Sequence, residues 1–326
     1  MENRLSETVT SKIAVSEIDL DPGPFCMSFN FSLEQLKNSI ERFGVLNAPY
    51  VTKGSESRYT VVTGYRRLLA LRELGWPEVV CHVLPDNIRP LEALLLNLHD
   101  NIVHRKMNEV EKAMVLVRLN RFVKQEALIK EFMPMLGIPA NRYNLAILLR
   151  VPELEEQVRI SIATQRISLR VAGLMMTLDS GDRLKVNELF TVLRLSLNQQ
   201  WEVIQWIVEI AGREGRSAKE ILVDDEVMGI VNNSEMSNPI KSKTIVKILR
   251  KRRFPSVVKA ETAFKKGVSR LSLPQGLKII PPPFFEGKKY RLEIGFTQGE
   301  ELKEKVEKLF HLPGLEQITN FWKETN

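Results

Sequence analysis

The sequence predicts an α+β protein in three parts: a small mixed-sheet domain, then an all-helical domain, then a small α+β tail. Three observations carry that prediction. Up to residue 104, short β-rich runs alternate with helical stripes. From 108 to 223, apolar residues recur at helical spacing, broken only by short loops such as LGIPAN and GREGRS. Near the C-terminus, Tyr290–Thr297 alternates apolar and polar residues as a half-buried strand does, ahead of a helical stripe.

In order along the chain, Ile13, Val15 and Ile18 suggest a short edge strand. Ser32 opens a helix with Gln35 as its capping-box partner, a stripe of Leu33, Leu36, Ile40 and Phe43, and Gly44 as its stop. Strands follow at 49–52 and 59–63, around the polar turn KGSES. Gly64 opens a helix to Leu74, closed by Gly75 and Pro77; 79–83 is another strand and 90–99 a helix. Asn108 and Glu111 make a second capping box. The expected divisions are a first domain over 1–107, a helical domain over 108–223, a polar linker over 224–240 and a basic α+β domain over 241–326, with a basic helix near 241–252 and a last helix over Glu300–Phe310.

The chain carries 47 Lys and Arg against 40 Asp and Glu, a formal net charge of +7. From Lys241 to Arg291 there are fifteen basic residues and two acids, so this block holds +13 and the remainder 7 − 13 = −6. A basic block on a mildly acidic body points to a polyanionic partner, and a solvated basic surface is the plainer alternative. The two cysteines, Cys26 and Cys81, form no CxxC pair, and the four histidines show no metal-binding spacing. No signal core and no apolar run of membrane-spanning length is present, so a reduced cytoplasmic setting without a membrane is expected.

The most informative segment runs from Val61 to Leu71, VVTGYRRLLAL. A β-rich run enters a glycine and emerges as a helix with two arginines in its first turn. The first helical N–H groups lack partners and the helix dipole is positive there, which suits an anion. Gly64 removes the Cβ that would block close approach, and Arg66 and Arg67 offer forked donors matched to phosphate oxygens. Arginine in a first turn opposes the dipole, so the pair asks for an anionic partner, whether a ligand or an internal acid.

Two further boxes flank this turn. Leu36, Ser39, Ile40, Gly44 and Pro49 precede it; Asp100, Asn101, Arg105, Asn108 and Glu111 follow the next strand and helix. In this order and spacing the three boxes resemble the ParB/sulfiredoxin-like domain of the ParB partition family, whose pattern runs LxxSIxxxGxxxP, GERRxxA, ENxxRxxLxxxExA. The resemblance covers residues 11–113, and the helices beyond resemble the family's central DNA-binding domain. It implies a nucleoside triphosphate, CTP above all, bound with Mg2+. Gly64, Arg66 and Arg67 would meet phosphate, Asp100 and Asn101 the metal, and Arg105 would be the arginine of the third box. Three departures stand out: Tyr65 replaces the glutamate of GERR, Asp100 is a methylene shorter than Glu, and Arg105 sits one residue late, with His104 in its expected place. They weigh against hydrolysis more than against binding, so any NTPase activity would be weak.

Residues 125–151 have the outline of a helix-turn-helix, an outline that a plain helical hairpin shares. One helix ends near Pro134, Leu136-Gly137-Ile138 makes a tight turn, and a second helix starts near Pro139 with Leu145, Leu148 and Leu149 inward. Asn141, Arg142 and Asn144 would then reach base edges, and Arg150, Arg166 and Arg170 phosphates. In the tail, Arg250, Lys251, Arg252 and Arg253 are the densest cluster and would neutralise DNA phosphates without reading sequence. Phe284, Phe285, Phe296 and the 302/306/309 stripe would form either a homodimer face or the tail's own core. What the resemblance implies is a nucleoid-associated, dimeric, DNA-binding protein of chromosome or plasmid partition, acting with a partner partition ATPase. The competing readings are a DNA-binding transcriptional or replicon regulator with a vestigial pocket, and an enzyme on the same fold. The enzyme is disfavoured: a nuclease lacks clustered acids, and sulfiredoxin-like chemistry needs a cysteine beside the phosphate turn, where neither Cys26 nor Cys81 lies in sequence.

Overall fold

The structure, a computed structural model, describes residues 7–54, 58–287, 289–315 and 318. The chain divides into two compact units, Met1–Trp201 and Glu202–Asn326. In the first, one mixed sheet holds β1 (Val9–Ala14), β2 (Ile18–Asp19), β3 (Tyr50–Lys53), β4 (Tyr59–Val61) and β5 (Glu78–Val83) in the order β1-β5-β3-β4-β2. The β1–β5 and β3–β4 pairs are antiparallel, and β3–β5 and β2–β4 are parallel. The edge strand expected at Ile13, Val15 and Ile18 is split in two. A 3-10 turn over Val15–Glu17 carries the chain from one edge of the sheet to the other, and all three side chains are buried. Ser55 to Ser57 of the expected polar turn lie outside the described residues.

Helices α1 (Glu34–Phe43) and α2 (Tyr65–Glu73) cover the sheet, with Ile40, Leu68 and Leu71 in one core with Ile13, Val51 and Cys81. The Ser32/Gln35 capping box does not form. Leu33 is the N-cap, and Ser32 Oγ accepts only from the Glu34 N–H, at 3.3 Å. Gly44 ends the helix at φ 71°, as its lack of a Cβ allows. α3 (Pro90–His104) runs on past the expected 99, because its polar last turn lines a cavity rather than ending the helix. α4 (Glu109–Leu119) carries the expected box: Asn108 accepts from Val110 and Glu111 N–H, and Glu111 accepts from Asn108 N–H.

The helical region belongs largely to the same unit. α5 (Gln125–Ala127), a π-helical turn over Leu128–Phe132 and α6 (Met133–Met135) form one helical run, and Gly137 turns the chain at φ 67°. α7 (Arg142–Arg150) starts three residues after Pro139, because Asn141 is its N-cap and accepts from Asn144 N–H at 2.8 Å. Leu145 and Leu148 are buried as expected, with Ile147 rather than Leu149 completing the face. α8 (Glu156–Ala163), α9 (Leu169–Met175), α10 (Ser180–Leu193) and α11 (Leu197–Glu214) follow. α4 packs on α3, α7 and α8, across the expected 107/108 boundary, and the boundary between the two compact units lies within α11.

One ion pair in this unit sets a pH dependence. Arg183 Nε and Nη2 donate to both oxygens of Glu155 at 2.7 to 3.2 Å, and these hydrogen bonds hold the Glu155 carboxyl down at about 2, against an ordinary 4.5. A carboxylate with a depressed folded pKa contributes stability above its unfolded value and loses it as pH falls toward the folded one. Acid unfolding of the wild type is therefore expected to show an increment lost between pH 4.5 and 2 that Arg183→Ala lacks, read by circular dichroism across that range.

In the second unit, α12 (Ala218–Leu222) precedes the stretch that reads as linker, and α13 (Asp225–Val231) lies inside it, with Val227 buried. The valine spacing that anchors this turn is too short to stand out as a stripe. α14 (Asn238–Arg253) and α15 (Pro255–Arg270) pack together, β6 (Leu277–Ile280) pairs antiparallel with β7 (Arg291–Ile294), and α16 (Gly299–Phe310) follows. Phe285 joins Ala260 and Phe264 in a small core. Phe284 and Phe296 are exposed and no residue of α16 is buried, so the 302/306/309 stripe does not serve as the tail's core. Among the described residues, no helix is long and apolar enough to cross a membrane.

Candidate functional site

The strand-to-helix turn at Gly64 is built as its residues demand. The Val62 and Thr63 N–H groups both donate to Tyr50 O, at 2.8 and 3.0 Å, which brings the end of β4 against β3. Gly64 then takes φ 79° as the N-cap of α2. A Cβ there would meet Pro49 Cβ at 2.7 Å and Arg67 Nε at 3.1 Å, so the turn requires glycine twice over. No side chain caps α2, and its first turn opens on a cavity of about 250 Å³.

That cavity brings together every residue expected at the nucleotide site: Gly64, Arg66, Arg67, Asp100, Asn101 and Arg105. Arg66 Nε donates to Ser28 Oγ at 3.1 Å, its Nη2 pairs with Glu111, and its guanidinium lies 4.5 Å from the Phe31 ring centre. Arg67 donates to the Asn47 carbonyl and to Asp100 Oδ2, the latter at 3.2 Å. Arg105 donates to Glu111 Oε2 at 2.5 Å, to Asn101 Oδ1 at 2.6 Å and to Met27 O at 3.0 Å. Burial pulls the Arg66 and Arg67 pKa values down. The charge of Arg105 adds to that at Arg66 and Glu111 opposes it, while at Arg67 Asp100 opposes it.

Glu111, read from the sequence as the capping-box acid of α4, has a second set of partners at the site. It is 1% exposed, and besides capping α4 it accepts from Arg66, from Arg105 and from Phe29 N–H at 3.1 Å. Asn97, buried on α3, donates to Val62 O and accepts from Asn101 Nδ2 at 2.7 Å, fixing the third box against the turn. The site thus sets three guanidiniums against two carboxylates, a surplus of one positive charge facing the N-terminus of α2. Such an arrangement attracts and orients an anion with several oxygens.

It does not suit Mg2+ as it stands. Asp100 Oδ2 accepts from Arg67, its Oδ1 lies 3.3 Å from His104 Nδ1, and Asn101 Oδ1 is taken by Arg105. Among the described residues no group of three or more His, Cys, Asp or Glu side chains could hold a metal ion. Cys26, distant in sequence, is buried immediately before the Met27–Ser28 wall of the cavity. Burial pushes its thiol pKa up, against the pull of the Ser28 backbone and of Arg118, Arg66 and Arg105, so it is not the thiolate that sulfiredoxin-like chemistry needs. Burial also raises Cys81, to about 11.

The residues expected at DNA divide. Arg142 and Arg166 are exposed and have no ion pair among the described residues. Asn141 and Asn144 have local work: Asn141 caps α7, and Asn144 Nδ2 donates to Pro139 O at 3.1 Å. Of the other phosphate candidates, Arg150 donates to Met176 O at 3.3 Å and Arg170 stacks 3.8 Å from the Trp201 ring centre. The basic cluster is largely spent internally. Arg250 grips Glu261 at 2.7 and 2.8 Å, Arg252 bonds Glu214 at 2.9 Å and Asp224 at 2.5 Å, and Arg253 pairs with Glu209. Lys251 alone of the four is exposed without an ion pair among the described residues.

Residues 1–102 match the family model for the ParB N-terminal domain. A nucleoid occlusion protein of Lysinibacillus sphaericus is 28% identical over 53% of this chain, a stretch that takes in 54% of that protein's length. A probable chromosome-partitioning protein ParB of Vibrio cholerae is 21% identical over 85% of this chain and 88% of its own. Among solved structures, truncated ParB of Caulobacter crescentus complexed with CTP-γ-S covers 56% of this chain and 99% of that one, at 20% identity and a TM-score of 0.27. The same protein complexed to the centromeric parS site covers 60% and 98%, at 19% identity and a TM-score of 0.34.

Proposed function

Taking as premise that this chain belongs to the ParB-like partition family, we propose that it binds duplex DNA through its helix-turn-helix and a nucleoside triphosphate at the Gly64 turn, and serves chromosome or plasmid partition. The observation that carries the reading is the convergence of three separate sequence boxes on one cavity, with a surplus positive charge at a helix N-terminus. Phosphate oxygens would take donors from Arg66, Arg67 and Arg105 and from the first-turn N–H groups, and CTP is the nucleotide that the family resemblance favours. Both carboxylates at the site already neutralise arginines, so neither is free to act as a base, which supports binding over hydrolysis. The working form would be a nucleoid-associated homodimer in the cytoplasm, acting with a partition ATPase.

DNA contact would centre on Arg142, exposed in the first turn of α7 and without an ion pair among the described residues, with Arg166 on phosphate. Arg142→Glu is expected to weaken duplex binding by roughly 10- to 100-fold, the size of a lost base or phosphate contact made worse by reversal. Electrophoretic retention at moderate salt reads this out, and an unchanged midpoint would remove α7 from the interface. A second reading is favoured by the internal partners of Arg66 and Arg67: a DNA-binding regulator whose pocket is satisfied by its own acids. DNA binding that ignores CTP, ATP and GTP alike would support it.

A further inference from the structure

The outward sector of α7 is not the one that its asparagines suggest. Taking Arg142 as zero on the helix circle, Ala146, Arg150 and Tyr143 fall at about 40°, 80° and 100°. All four are exposed, and Leu145, Ile147 and Leu148 on the rest of the circle are buried. A Cβ on Gly173 of α9 would lie 2.6 Å from Ile147 Cδ1, so α9 packs closely there and fixes the rotation of α7. Asn141 Oδ1 accepts from Asn144 N–H at 2.8 Å, and Asn144 Nδ2 donates to Pro139 O at 3.1 Å. The paired contact by which asparagine reads adenine would compete with these bonds.

What faces out is therefore a methyl group with a ring beside it. Ala146 sits at the centre of the sector, Tyr143 is 58% exposed on its flank, and Arg142 and Arg150 stand one turn to either side. α7 carries no acid. A cavity of about 570 Å³ has Asn144 on one wall and Gln165 and Arg170 on others, so the segment bearing the exposed Arg166 and Arg170 adjoins the start of α7. Positive charge around a small apolar centre complements a duplex groove walled by phosphates. An alanine there lets the helix come close to base edges, and the apolar feature that a base pair shows in the major groove is the 5-methyl group of thymine.

We propose that Ala146 and Tyr143 are the specificity-determining residues of α7, and that they read thymine by apolar contact with its 5-methyl group. This rests on the duplex-binding reading above and names what that interface recognises. Arg142 and Arg150 hold the helix in the groove by charge, and Asn141 and Asn144 keep its first turn in shape.

The full chain is used to select binding sequences from a randomised duplex pool. The selected duplex is then titrated with each thymine in turn replaced by uracil, which deletes only the methyl group. Wild type is expected to lose roughly 4-fold in affinity at one thymine or more, the worth of one buried methyl-sized group. Ala146→Gly and Tyr143→Ala each bring that ratio to about 1 at a thymine of their own. The ratio is taken within one protein, so a general loss of helix or fold cancels from it. Arg142→Glu, by contrast, weakens binding to every duplex. The inference is overturned, with duplex binding by α7 intact, if Arg142→Glu weakens binding but no sequence is enriched, uracil is tolerated throughout, or either variant keeps the wild-type ratio at every thymine. If Arg142→Glu leaves binding to the pool unchanged, α7 is off the DNA and both readings fall.

Discussion

Glu111→Ala is expected to cost the first unit roughly 3–5 kcal/mol, the usual size for removing one partner of a buried ion pair. The carboxylate is 1% exposed and holds two guanidiniums and two backbone N–H groups at once. Its removal leaves Arg66 and Arg105 partly buried and short of an acceptor, and opens the N-terminus of α4. Glu111→Gln keeps the shape and one oxygen, so it should fall between wild type and Ala. Urea unfolding gives the comparison directly. A loss for Ala below about 1 kcal/mol, the size of a typical net hydrogen bond, would mean that water replaces the carboxylate without penalty.

The second large effect is functional. Arg67→Ala should lower triphosphate affinity by roughly 10- to 100-fold, because a hydrogen bond to a charged group is worth about 1.5–3 kcal/mol. Arg67 is the cleaner choice over Arg66. Its acid, Asp100, is 24% exposed and keeps His104 beside it, so the carboxylate rehydrates when the arginine goes. Arg66→Ala would instead strip a partner from Glu111 and confuse lost binding with lost fold. Calorimetric titration of CTP, ATP and GTP against wild type and Arg67→Ala reads the change, with urea unfolding of the same samples expected to shift little.

The comparison of sequence with structure turns on the range over which each interaction acts. The turn at Gly64 was legible because its cause is local: a strand, a glycine and a helix start within a few residues, and the steric reason for the glycine lies in its own φ. The capping box of Asn108 and Glu111 was legible for the same reason. What the spacing could not show is that Glu111 also reaches back 45 residues to Arg66, because one carboxylate has lone pairs for both tasks. Ser28, Met27 and Asn97 were missed likewise, since each enters the site through tertiary packing.

The basic cluster misled in an instructive way. Four adjacent charges on a helix are each turned by about 100° from the last, so they face different neighbours and need not share a surface. Arg250, Arg252 and Arg253 accordingly meet acids on α15, on α11 and ahead of α13. The helix within 224–240 was illegible for the opposite reason. A seven-residue helix held by one buried valine is too short to write a stripe into the sequence.

The account depends on where the phosphates of a bound nucleotide sit, and a structure of the full chain determined with CTP present measures that directly. The account predicts phosphate oxygens within hydrogen-bond reach of Arg66, Arg67 and the first N–H groups of α2, with Asp100 drawn off Arg67. CTP bound elsewhere, or Asp100 still bonded to Arg67 with the cavity empty at saturating CTP, would contradict it.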